Sequence, residues 1–300
     1  MNMHLEAVSS GARPARNEDL AIATESRHGH ELLVIDGATS VADRDYIDPV
    51  RGDVCWFVRQ FASALESVMH EGLSQHDAVR KAIEPVYARF QELGGERDVP
   101  DYAWPIAALS WVRARETGDG HRLALYSLGD CTILMRTPDG AVRDLDPFVN
   151  PQEAIVRTEV ARLKAEGVQD PATRFSRLLP MLRARRVLQN TAPNSNSLCL
   201  RPNGAFGART ATVDAPAGSA ILVMSDGFYR LVDTYGLHTP GSLFSLCMED
   251  GLQAALAQLR NHETATRATA AVVKAADDAS AVLWHPARRA QPCHSGEAGA

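Results

Sequence analysis

Long apolar runs are missing from this chain. No stretch approaches 18 consecutive apolar residues, which excludes a membrane-spanning helix. Met1 to Ser10 lacks the apolar core and basic flank of a signal peptide, so the expected location is cytoplasmic. Paired cysteines are missing as well. Cys55, Cys131, Cys199, Cys247 and Cys293 are far apart, odd in number and form no C-x-x-C pair. That excludes a disulfide framework or structural zinc site and leaves reduced thiols packing as small hydrophobes. The ten histidines contain no H-E-x-x-H; His28 and His30 flank Gly29 and read as a loop tip. Excess basic charge is absent too: 31 Lys and Arg against 37 Asp and Glu give a net charge of −6. A protein built to coat nucleic acid or an anionic membrane is thereby excluded.

What is present suits a folded soluble chain. Of the 300 residues, 45% are hydrophobic and 23% charged, enough apolar content to offset the entropy of folding. Strands are predicted at Leu20–Thr24, Glu31–Ile35, Ile106–Arg113, Arg122–Leu128, Thr132–Met135, Ala208–Val213, Ala220–Met224 and Ala279–Trp284. Helical periodicity covers Asp53–His70 and Gln75–Leu93, the second stopped by Gly94-Gly95, then Pro151–Gly167, Ala172–Leu188, Leu243–Glu249 and Leu252–Leu259. Strands and helices come in blocks, which favours an α+β sandwich over a doubly wound parallel sheet. One domain over 1–285 is expected, with a disordered tail from 286 to 300.

Aspartates sit at the ends of apolar strands. Asp36 follows Leu-Leu-Val-Ile, Asp130 follows Tyr-Ser-Leu-Gly, Asp226 follows Ile-Leu-Val-Met-Ser, and Asp277 precedes Ala-Ser-Ala-Val-Leu-Trp. Converging carboxylates repel one another unless a hard cation lies between them, and Mg2+ or Mn2+ prefers oxygen ligands. Asp36 and Asp226 are each followed by Gly, which permits a tight turn and frees a carbonyl. Asp139-Gly140 and Asp250-Gly251 read as ordinary turns.

Arg16-Asn17-Glu18-Asp19, Val34-Ile35-Asp36-Gly37-Ala38-Thr39, Leu128-Gly129-Asp130-Cys131, Met224-Ser225-Asp226-Gly227 and Asp277-Asp278-Ala279-Ser280 occur in this order. In motif and spacing, over roughly residues 5 to 285, the chain resembles the metal-dependent serine/threonine protein phosphatases, the PPM or type 2C family, especially compact bacterial members. The resemblance implies a four-layer α-β-β-α sandwich of two antiparallel sheets with a dinuclear metal site at one end. It implies that Asp36 bridges two Mn2+ or Mg2+ ions, that the Gly37 carbonyl binds one, and that Asp226 and Asp277 complete the other's shell. Glu18 and Asp19 would act through waters, and Asp130 would help to hold a third ion. Two such ions about 4 Å apart can activate a shared water for direct attack on phosphorus. The implied partner is a phosphorylated protein, with a Ser/Thr kinase opposing the reaction.

The match departs in places. Where the family places an arginine that grips the substrate phosphate, this chain has Pro14, leaving Arg13 or Arg16 to reach round or to stay solvated. Ala38-Thr39-Ser40 offers no acid, Cys131 and Ser280 replace a usual Ser and Thr, and Asp278 stands where Asn is frequent. Cys131 reads as packing, and so do Trp104, Trp111 and Tyr102. The arginine-rich segment Arg174–Arg186 is either a solvated face or a docking surface for acidic partners; it lies within Pro147–Asn203, where the resemblance implies a variable flap beside the site. The missing arginine motivates a second reading, a catalytically weak module that binds a phosphorylated partner. A small phosphorylated metabolite as substrate is a third.

Overall fold

The computed structural model describes residues 3–13, 15–26, 29–266 and 276–286. In chain order the elements are β1 (Met3–Ser10), β2 (Asp19–Ser26), β3 (Gly29–Gly37), α1 (Asp53–Val68), α2 (Gln75–Glu92), α3 (Gly95–Asp98), a 3-10 turn (Asp101–Ala103), β4 (Ile106–Thr117), β5 (Gly120–Leu128), β6 (Thr132–Arg136) and β7 (Val142–Asp144). They continue with α4 (Pro151–Ala165), α5 (Pro171–Thr191), β8 (Leu198–Cys199), β9 (Arg209–Pro216), β10 (Ala220–Met224), α6 (Asp226–Tyr229), α7 (Pro240–Asp250), α8 (Leu252–Thr266) and β11 (Ala279–Pro286).

Alternation along the strands sorts the apolar side chains into three layers. On β3, Leu32 and Val34 face the sheet that contains β10 while Leu33 and Ile35 face α1. On β10, Ile221 and Val223 face the sheet that contains β3 while Leu222 and Met224 meet α7 and α8. One sheet runs β1-β11-β10-β6-β7 and the other β2-β3-β4-β5-β9, with β8 added beside β4, and all their pairings are antiparallel. The expected four-layer α-β-β-α sandwich is the observed architecture. Phe57, Phe61 and Leu65 of α1 are fully buried against the β2-β3-β4 face, each contributing about 1.5–3 kcal/mol through burial.

Some expectations are corrected. β1 precedes the first predicted strand; it pairs with β11 from Met3–Pro286 to Ser10–Ala279 and is only half-buried, so its apolar signal is thin. β7 and β8 were too short to register in the sequence. Gly94, in the left-handed region at φ 82°, ends α2 as expected, but Gly95 then opens the one-turn α3. His30 lies in β3 rather than at a loop tip, its ring 5.7 Å from Trp284 and 6.5 Å from His121. His28, Pro14, Cys293 and residues 287–300 lie outside the described residues. The other four cysteines are buried free thiols. No helix among the described residues is long and apolar enough to cross a membrane.

Candidate active site

Antiparallel pairing decides where the aspartates meet. The C-terminal ends of β3, β5 and β10 and the N-terminal ends of β2, β4, β6 and β11 share one end of the sandwich. Asp36, Asp130 and Asp226 line a cavity of about 160 Å³ there, walled by Ile106, Ala108 and Phe148 among others. Asp19 lies directly opposite Asp36 across the β2–β3 ladder, and both point into the slot between the sheets. Asp277, just before β11, adds its charge to the same cluster.

The cluster is electrostatically strained. Burial pushes the Asp36 carboxyl well above the usual carboxylate range, and the charges of Asp19, Asp226, Asp130 and Asp277 push it further. Asp19 is raised in the same way, by burial first, with Asp278, Asp226 and Asp277 adding and a Ser225 hydrogen bond opposing. Its Oδ2 is buried without a hydrogen-bond partner among the described residues. The Asp226 backbone N–H, 3.4 Å from Asp36 Oδ2, gives only a weak contact.

Close backbone approach explains the glycines better than turn formation does. A Cβ on Gly37 would lie 2.5 Å from the Glu18 carbonyl oxygen, and one on Gly227 would lie 1.9 Å from the Asp278 carbonyl oxygen. Gly227 sits inside α6, which opens at Asp226. Asp139-Gly140 and Asp250-Gly251 do mark a hairpin turn and the end of α7, as expected.

Several expected residues have other partners. Asp278 accepts backbone N–H groups from Ala12 at 2.8 Å and Glu18 at 2.6 Å, fastening the 12–18 loop to the end of the sandwich. Arg16 pairs with Asp45 at 2.8 Å and donates to the Pro49 carbonyl; Arg13 is exposed, and neither lines the cavity. The Glu18 carbonyl accepts from the Gly37 N–H at 3.1 Å. Cys131 is buried, and burial followed by the neighbouring carboxylates pushes its thiol far up, so it packs and stays protonated. Trp111 and Trp104 are buried, consistent with packing.

Four residues gave no local sign of a role at this site. Asn150 donates to Asp130 Oδ2 at 2.8 Å while its own carbonyl oxygen caps α4. Arg209 grips Asp146 with two nitrogens, at 2.9 and 2.7 Å, and donates to the Gly129 carbonyl at 2.7 Å, supporting the loop that carries Asp130. Arg185 and Gln189, one turn apart on α5, line the cavity itself. The sequence marked Arg185 only as part of a basic run.

The family profile for protein phosphatase 2C matches residues 12–283. The chain belongs to the protein phosphatase 2C family. No curated protein matches significantly. Among solved structures, the Mycobacterium tuberculosis serine/threonine phosphatase PstP/Ppp is 17% identical, with 94% of this chain and 98% of that one covered and a TM-score of 0.53. The PstP catalytic domain in complex with two manganese ions is 16% identical, with 94% and 97% covered and a TM-score of 0.54. The S. agalactiae serine/threonine phosphatase is 16% identical, with 95% and 99% covered and a TM-score of 0.55. At such identities the likeness shows that the type 2C fold is shared.

Among the described residues, no three carboxylate, imidazole or thiolate side chains stand close enough to hold a metal ion as they lie. The donors nevertheless suit a hard divalent cation in kind. They are carboxylate oxygens held against one another, one of them buried and orphaned, with no thiolate competing.

Proposed function

We propose that this protein hydrolyses phosphoserine and phosphothreonine esters in proteins, with Mn2+ or Mg2+ as cofactor, opposing a Ser/Thr kinase. The observation that carries the reading is the convergence of Asp19, Asp36, Asp130, Asp226 and Asp277 on one end of a type 2C sandwich. Asp36, Asp226, Asp277 and the Gly37 carbonyl would hold two ions, Glu18 and Asp19 would act through waters, and Asp130 would serve a third. When bound, such ions activate water and offset charge on the transferring phosphoryl group.

The chain's own contribution is a fixed frame. The strand ends hold the carboxylates within a narrow slot, so little reorganisation accompanies the change in charge during reaction. Asp278 keeps the 12–18 loop against the cluster, and Arg260 steadies the other edge by donating to the Asp277 and Ser10 carbonyls at 2.7 and 2.6 Å. Ile106, Ala108 and Phe148 shield one side of the cavity from bulk water, which strengthens the electrostatic interactions inside it.

The test is hydrolysis of a phosphothreonine peptide with and without Mn2+, beside Asp226→Asn. Metal-dependent turnover that collapses in the variant supports the proposal. Mn2+ binding without turnover overturns it in favour of a phosphopeptide-binding module.

A further inference from the structure

We infer that Arg185, carried into the cavity by α5, is the side chain that grips the substrate phosphate, deepening the phosphatase reading on which it rests. Five arginines lie between Arg174 and Arg186, and four have partners. Arg174 donates to the Val168 and Gln169 carbonyls, and Arg177 lies 4.0 Å from Glu166. Arg183 bonds Asp43 and the Val41 carbonyl and stacks over Tyr102 at 4.4 Å. Arg186 is buried and donates to the Thr39 carbonyl at 3.0 Å.

Arg183 and Arg186 thus pin one face of α5 to the 39–43 loop just beyond Asp36. Asn190, one turn after Arg186, donates to the Asp101 and Trp104 carbonyls at 3.1 and 3.2 Å. With that face fixed, Arg185 is presented at the cavity lined by Asp36, Asp130 and Asp226, with Gln189 beside it. It is half-buried and forms no hydrogen bond or ion pair among the described residues; Asp130 is the carboxylate whose charge it feels.

An unpaired guanidinium in a cavity that must admit a dianion is matched to phosphate, whose oxygens accept its planar donors in pairs. Arg13 and Arg16 do not compete for this position, since neither lines the cavity. Flap residues thereby supply a phosphate contact that residue 14 cannot, because proline carries no cationic side chain.

Calorimetric titration of inorganic phosphate into the Mn2+-loaded full chain, beside kinetics on a phosphothreonine peptide, tests this. R185A is expected to weaken phosphate binding and raise KM by about tenfold or more, with R185K between it and wild type. Mn2+ affinity, titrated separately, should hold within about threefold, and R177A should match wild type throughout. Unchanged phosphate affinity in R185A, with peptide turnover intact in wild type, overturns the inference and leaves the phosphatase reading standing. A parallel loss of Mn2+ affinity overturns it too, making Arg185 a support for the carboxylates. Wild-type protein that neither binds phosphate nor turns over peptide removes the phosphatase reading and this inference together.

Discussion

Asp19 and Asp36 occupy directly paired positions on β2 and β3, so a buried and a half-buried carboxylate face each other across one rung of the ladder. Like charges so placed destabilise a sheet, and the fold sustains the pair at the end where Asp130, Asp226 and Asp277 also gather. Such stored repulsion is characteristic of a binding site rather than of a structural core.

Removing one charge should therefore stabilise the metal-free protein. Asp36→Asn is expected to add about 1 kcal/mol, or ~2–4 °C in Tm, in the presence of EDTA. Excess Mn2+ should raise the wild-type Tm and leave the variant's unchanged. Thermal melts in both conditions decide it; a variant that melts below wild type in EDTA contradicts the repulsion argument.

Adjacent aspartates should separate by role. Asp277→Ala is expected to lower Mn2+ affinity about tenfold or more. Asp278→Ala should leave it within about threefold while costing about 1–3 kcal/mol, because it releases the Ala12 and Glu18 N–H groups. Calorimetry and urea unfolding of the two variants, side by side, would expose the assignment as reversed if the losses swapped.

Gly227→Ala tests the close approach behind Asp226. The new Cβ would press on the Asp278 carbonyl, and overpacking of this kind costs about 1–3 kcal/mol. Stability and Mn2+ affinity should fall together, since Asp226 and Asp277 flank the contact. A fully stable variant with wild-type affinity would show that the backbone there yields freely.

Away from the site, Glu31 is fully buried and accepts from Trp111 Nε1 at 2.7 Å, Arg113 Nε at 2.9 Å and Arg115 Nη2 at 3.2 Å. Glu31→Ala leaves the Arg113 guanidinium buried without its carboxylate and should cost about 3–5 kcal/mol. The urea midpoint reports this, and a loss below about 1 kcal/mol would mean that water replaces the carboxylate.

Acid sensitivity is expected from His30 and His121. Burial lowers both imidazoles; the His30 charge lowers His121 further, while Glu25 and Glu116 oppose for His30 and Glu116 opposes for His121. The folded state holds them neutral, whereas the unfolded chain takes up protons near about pH 6.5. Their contribution is complete above that value and is lost as pH falls through it toward the folded pKa values. Protonation of Asp19 and Asp36 works in the opposite sense, so the difference between wild type and His121→Gln is the readout. The variant's Tm should fall less between about pH 7.5 and 5.5; parallel curves would dissociate His121 from the effect.

How much of this was legible in the sequence varies with range. Ala220–Met224 was predicted with its observed bounds, and α1 and α2 to within two residues, because period-2 and period-3.6 patterns record which face is buried. β1 escaped because an edge strand with one buried residue leaves almost no pattern. At the site, Asp36 and Asp226 stood out through the apolar strands before them, whereas Asn150 and Arg209 carry no local signature. Each acts on a loop far along the chain, 20 and 80 residues away.

By itself the sequence determined the longer helices and the strands with a buried face, the sorting of their apolar residues into layers, and the aspartates Asp36, Asp130, Asp226 and Asp277 beside four strand ends. Local periodicity and composition are enough for that. Tertiary structure alone decided that these ends converge, that Asp278 turns to the 12–18 loop, and that one arginine of α5 faces the cavity while its neighbours are taken. Those outcomes depend on antiparallel pairing and on bonds such as Arg186 to Thr39, which span 147 residues and follow no sequence period.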